Sequence, residues 1–66
     1  MNHIKQAMLI KYLPRDTSYD VLYHNIKVKM LDGTWELGCM YYNPLDDSYY
    51  VRPYSMFNME KWEIQY

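Results

Sequence analysis

One cysteine, two glycines and a single phenylalanine occur among 66 residues, and no long apolar run interrupts them. With Cys39 alone, no intrachain disulfide can form. A lone thiol without a secretory pattern points to a reducing cytosol. The longest aliphatic stretch near the start, "AMLI", is far too short for a signal core or a membrane span. Charge of one sign is missing as well. Seven Lys and Arg against eight Asp and Glu give a net charge of −1. That is neither the basic balance of a dedicated phosphate binder nor the acidity of a DNA mimic. There is no repeat, low-complexity tract or linker, so residues 1–66 read as one domain. A domain this small buries only about 60% of its unfolded surface. Its single core supplies about 3–5 kcal/mol unless a second subunit adds to it.

What the chain does have is tyrosine, nine in all, within a composition that is half apolar. That much apolar content argues against disorder. Tyr favours strands, sheet surfaces and interfaces, because its ring is apolar and its hydroxyl can stay wet. The composition leans towards β.

Asp32-Gly33 is a strong short hairpin signal. As a two-residue turn it pairs Leu31 with Thr34, Met30 with Trp35, Lys29 with Glu36, Val28 with Leu37 and Ile26 with Cys39. This register predicts an inner face of Ile26, Val28, Met30, Trp35, Leu37 and Cys39, and an outer face of Lys27, Lys29 and Glu36. "NPLDD" then reads as a loop of about five residues before the strand "SYYVRP". Aligning Tyr41 with Tyr49 puts Val51 inside beside Cys39, and sets Met40, Tyr42, Tyr50 and Arg52 outside. Pro53 ends the strand, since it cannot donate a ladder bond. "YSMFN" suggests a single 3₁₀ turn, and "EKWEI" a short last strand with Trp62 and Ile64 on one side. "HIKQAMLIKYL" suits either a helix or a strand. The strand is preferred, because a short meander would otherwise leave an open edge. "PRDTSYD" reads as a loop, with the second strand beginning near Val21.

This order, with "DGTWELG" at its centre, resembles a small five-stranded antiparallel SH3-like barrel with a 3₁₀ turn before the last strand. The Asp-Gly-x-Trp hairpin is similar to that of Tudor-type members, and "YYVRPYSMF" looks like the closing strand of some small bacterial domains of the same shape. The resemblance covers residues 26–57. A Tudor-type relation would imply an aromatic cage for a methylated cation, with Trp35, Tyr42, Tyr50 and Tyr54 as the rings. The predicted register does not gather those four rings.

The rings therefore divide. Trp35, Tyr41, Tyr49 and Trp62 are predicted inside as core. Met40, Tyr42 and Tyr50, followed by Tyr54, form an outward row, and with Arg52 they are the predicted partner-binding residues. Contiguous exposed apolar patches mark contact sites, and Tyr and Met are enriched at interface centres. Competing readings are coverage by the N-terminal segment and plain cross-strand pairing. Lys27, Lys29 and Arg52 beside Tyr42 and Tyr50 are candidate nucleic-acid contacts, with bases on rings and cations on phosphates.

Nothing reads as catalytic. Cys39 is predicted inward and inert. His3 stands near the terminus and His24 at a strand start, neither with a placed acid beside it. Asp46 and Asp47 read as turn formers rather than a calcium loop. His3, His24 and Cys39 lack zinc spacing, and no metal or cofactor is expected. The reading is a cytoplasmic, non-enzymatic binding module for a larger protein. A short chain of this kind suits a phage or mobile-element inhibitor of a host enzyme. A homodimer subunit and a nucleic-acid-binding domain are the alternatives.

Overall fold

The computed structural model describes residues 4–65. Five strands, β1 (Leu9–Tyr12), β2 (Thr17–Lys29), β3 (Trp35–Asn43), β4 (Ser48–Pro53) and β5 (Trp62–Gln65), form one antiparallel sheet in the order β4-β3-β2-β1-β5. Three 3₁₀ turns, Ile4–Gln6, Leu13–Arg15 and Tyr54–Met56, complete it. The β composition, the turn before the last strand and the end at Pro53 are as the sequence predicts. Among the described residues no helix is long and apolar enough to cross a membrane.

Residues 4–12 resolve the helix-or-strand ambiguity in two pieces: one 3₁₀ turn, then β1. Ala7 and Ile10 are buried while Met8 is exposed. Pro14 fits the first positions of the 3₁₀ turn after β1, and Asp16 closes it in the left-handed region at φ 51°. So tight a connection leaves no loop. β2 begins at Thr17, four residues before the predicted start. The expectation for His3 lies outside the described residues.

The core sits on the inner side of the sheet. Ile10, Cys39, Tyr41 and Trp62 are buried with Ala7 and Phe57, and Tyr19, Val21 and Ile64 pack against them. Among the described residues the ladder does not close into the predicted barrel, since β4 and β5 stand at its two ends and do not pair with each other. Trp62 of β5 meets Tyr41 of β3 edge to face at 5.9 Å, although two strands separate β5 from β3 in the ladder.

Both predicted registers are off by one residue. In the β2–β3 hairpin, Lys29 pairs with Trp35, Val28 with Glu36 and Lys27 with Leu37. The loop has three residues, not two: Gly33 N–H donates to the Met30 carbonyl at 3.0 Å, and Met30 N–H to the Thr34 carbonyl at 2.8 Å. Gly33 sits at φ 88°, the left-handed residue such loops demand. The Asp32 carboxylate holds the geometry by accepting both the Thr34 amide and hydroxyl, which lowers its pKa. Lys27 and Lys29 thus lie beside Leu37 and Trp35, and the predicted segregation of charge from apolar residues fails. Trp35 is 61% exposed rather than core. Register is strongly specified only where one face is buried. This tip projects past the core, so turn chemistry decides it.

In the β3–β4 hairpin, Tyr41 pairs with Tyr50, Cys39 with Arg52, Met40 with Val51 and Tyr42 with Tyr49. The loop is four residues because Asn43 still pairs with Ser48. Asn43 Oδ1 accepts the Leu45 amide, Asp46 Oδ1 accepts the Ser48 amide, and Asp47 takes φ 58°. Tyr50 and Arg52 therefore turn inward, and Tyr49 and Val51 turn outward, opposite to prediction.

Candidate functional site

The predicted partner-binding set splits into three places. Met40 and Tyr42 do lie on the outer side, where the ladder joins them to new neighbours. Tyr23, Met40 and Val51 align in one row across β2, β3 and β4, and Tyr42 and Tyr49 stand in the next. Tyr23 is 62% exposed and Tyr49 63%. The Tyr42 and Tyr49 rings lie 4.8 Å apart. Tyr42 donates its hydroxyl to Asp47 at 2.7 Å, and this bond, with some burial and the Asp47 charge, pushes the phenol up to about 12.

Tyr54 belongs to neither row. It is half-buried in the 3₁₀ turn, where its hydroxyl accepts the Asn25 amide at 3.1 Å and meets His24 Nδ1 at 2.7 Å. His24 Nε2 lies 2.7 Å from the Ala7 carbonyl, which can only accept, so Nε2 carries a proton. His24 is thus not a lone residue at a strand start. It ties the N-terminal segment and the 3₁₀ turn to the middle of β2, beside the left-handed Asn25 at φ 58°. Lys27 and Lys29 stand at the hairpin tip, the latter 5.8 Å from the Trp35 ring centre. They do not adjoin Tyr42, so the predicted nucleic-acid constellation does not assemble there. Tyr42 packs with Tyr49, Tyr50 with Tyr41, and Tyr54 with His24, so these rings face different neighbours rather than one another.

Tyr50 and Arg52 help line a cleft on the inner side, of about 340 Å³. Five rings and three cations line it, with no Asp or Glu among the lining residues. Tyr50 stacks on Tyr41 at 5.5 Å and 20°, and Tyr19 stands edge-on to both. Burial raises the Tyr19 phenol, followed by Tyr50 and Tyr41, with Arg15 opposing and Asp46 adding to them. Arg52 is fixed: its guanidinium lies 5.5 Å over Trp62 and 5.6 Å over Phe57, and Nε donates to the Tyr41 hydroxyl at 3.1 Å. Ring faces explain how an arginine tolerates this inward position. Arg15 enters from the turn after β1 and Lys61 from the residue before β5. Sequence reasoning missed both, since 46 positions separate them and only the β1–β5 pairing brings them together.

Cys39 is fully buried, and burial pushes its thiol up to about 11. A thiol so placed is a poor nucleophile at neutral pH. Among the described residues, no group of three or more His, Cys, Asp or Glu side chains is arranged to hold a metal ion. No protein family, curated protein or solved structure matches this chain.

Proposed function

We propose that this chain is a non-enzymatic binding module of SH3-like design that docks a larger protein through its outer face. The strand order supports the SH3-like reading, because the last strand returns after a 3₁₀ turn to pair with the first. One observation carries the binding reading: a continuous outer band of Tyr23, Met40, Val51, Tyr42 and Tyr49 crosses three strands with its largest rings mostly in solvent. Isolated exposed rings need no explanation, but a contiguous band of Tyr and Met has the composition of an interface centre. A short module docking in this way suits a modulator of its target.

The test is retention from a lysate of the native host on immobilised wild type and on a Tyr23→Ser, Tyr49→Ser double variant. Both side chains are exposed, so the variant keeps its fold. A protein held by the wild type and lost by the variant supports the proposal; equal retention overturns it. Sedimentation at twice the chain mass, abolished by the same variant, would assign the band to self-association instead.

A further inference from the structure

We infer that the inner cleft is a second, independent site, which takes a single-stranded nucleic acid segment by stacking a base on Tyr50 and pairing phosphates with Arg15, Arg52 and Lys61. Three of the seven cations in the chain converge on this cleft. None of the three has a carboxylate within ion-pair distance among the described residues, where the one ion pair is Lys11 with Asp16. Arg52 is half-buried as well. Like charges gathered without counter-ions repel one another, so an anion bound among the three would be stabilised. Asp46 is near enough to act on Tyr19, but it neither lines the cleft nor pairs with any of the three cations. The charge of the lining suits an anion.

The rings specify which kind. Tyr50 stacks with Tyr41, meets Tyr19 edge to face and is still 39% exposed, so part of its ring is free to meet a base at the cleft. Tyr41 accepts from Arg52, so its own hydroxyl proton remains free to donate to a base edge or a phosphate oxygen. An acidic peptide would satisfy the cations and leave the flat ring surface without a flat partner. A nucleic acid strand alternates planar bases with anions, and aromatic stacking beside cations is how sequence-tolerant single-strand sites are built. A duplex keeps its bases stacked on each other and has none to offer a cleft of this size. The site shares no residue with the outer band. One face can hold a protein while the other holds the strand.

The experiment is fluorescence anisotropy of labelled oligonucleotides about eight residues long, oligo-dT and oligo-U, titrated with the full chain. A duplex and a Glu-rich peptide of similar length serve as controls. Wild type should bind both single strands, and three phosphate contacts give a slope of log K against log salt of about −2. The Arg15→Ala, Lys61→Ala double variant removes two exposed cations and should bring that slope to about −0.7. Tyr50→Ala should weaken binding roughly five- to a hundred-fold with the slope unchanged, and Tyr50→Phe, which keeps the ring, should restore it. Preference for oligo-U over oligo-dT would identify RNA as the physiological strand, and the reverse DNA. The inference is overturned by no single-strand binding at about 50 mM salt, by equal binding of the duplex or the peptide, or by a slope that the double variant leaves unmoved. None of these results bears on the outer band, which the lysate experiment tests separately.

Discussion

Two sides of one ladder, β3 with β4, carry nearly the same residue types and meet opposite fates. On the inner side, Tyr41 and Tyr50 stack, and Cys39 lies opposite Arg52. On the outer side, Tyr42 and Tyr49 are just as close, and Met40 lies opposite Val51. Tyr41 is 3% exposed and Tyr49 63%. Residue type therefore does not decide which tyrosine is core; the side on which the pleat places it does. The inner side accepts an arginine because rings lie beneath it, and the outer side exposes a valine because no element covers it. A side chain can be apolar and outside, or charged and inside, without violating the energetics of either.

The largest way to break this arrangement is at Gly38. A Cβ built there would lie 2.7 Å from the Pro53 Cα and closer still to the Arg52 carbonyl oxygen, both backbone atoms that cannot swing away. Gly38→Ala should push β4 off β3 at the level of Arg52. It should cost stability at or above the upper end of the ~1–3 kcal/mol usual for overpacking, read by urea denaturation. An effect under about 1 kcal/mol would mean that β4 does not approach so closely.

Next in size is an alkaline effect on the inner side. The Cys39 pKa is raised from 9.0 to about 11 in the fold, so above pH 9 the unfolded chain loses this proton before the native state does. Native protein then binds more protons than unfolded protein, and stability falls as pH rises from 9 to 11. The slope from one such group is at most about 1.4 kcal/mol per pH unit. Cys39→Ala should be less stable at pH 7 yet flatter over that window. Equal slopes would show that the thiol titrates as freely in the fold as outside it.

The neighbours Tyr50 and Val51 give the sharpest contrast between the two sides. Tyr50→Ala should cost about 1–2 kcal/mol, since it loses the stacked Tyr41 and the edge of Tyr19. Val51→Ala, at a site 46% exposed, should cost under about 1 kcal/mol. Thermal or urea unfolding of the pair would return the reverse order if the alternative register held.

That pair also marks how far the sequence could be read. Strand number, the turn after Pro53 and the inward Cys39, Tyr41 and Trp62 were legible, because alternation in the body of the sheet is enforced by burial. The registers were not, because each depended on one residue of loop length. The signals lay in side chains that bond backbone two positions on: Asp32 to the Thr34 amide, Asn43 to Leu45 and Asp46 to Ser48. Read as Asx turns, they give loops of three and four residues instead of two and five. The bulges in β2, between Val21 and Tyr23 and between Tyr23 and Ile26, have no comparable signature beyond the left-handed Asn25. Without them Tyr23 could not be assigned to the outer row. The cleft was hidden for a different reason: Arg15 and Lys61 become neighbours only through a pairing between the first strand and the last.

The smallest effect belongs to the outer side and separates a local bond from a structural one. Tyr42 donates to Asp47, a residue of the turn that joins β3 to β4, and the bond between them is exposed although Tyr42 itself is half-buried. Ionising the phenol would break its hydrogen bond to Asp47 and then set two negative charges side by side, so the proton is held to about 12. Asp47→Asn should return the Tyr42 phenol towards its ordinary value near 10, followed by ultraviolet difference absorption or ring-carbon NMR. The unfolding midpoint at pH 7 should barely move, because water replaces an exposed hydrogen bond at little cost. The sign of the linkage is the same as for Cys39: an acid held protonated in the fold loses its stabilising effect as pH climbs past the unfolded value. If Asp47→Asn instead lowers the midpoint as far as Tyr50→Ala does, the outer tyrosine is part of what closes the hairpin. The two sides of the ladder would then differ in exposure but not in structural role.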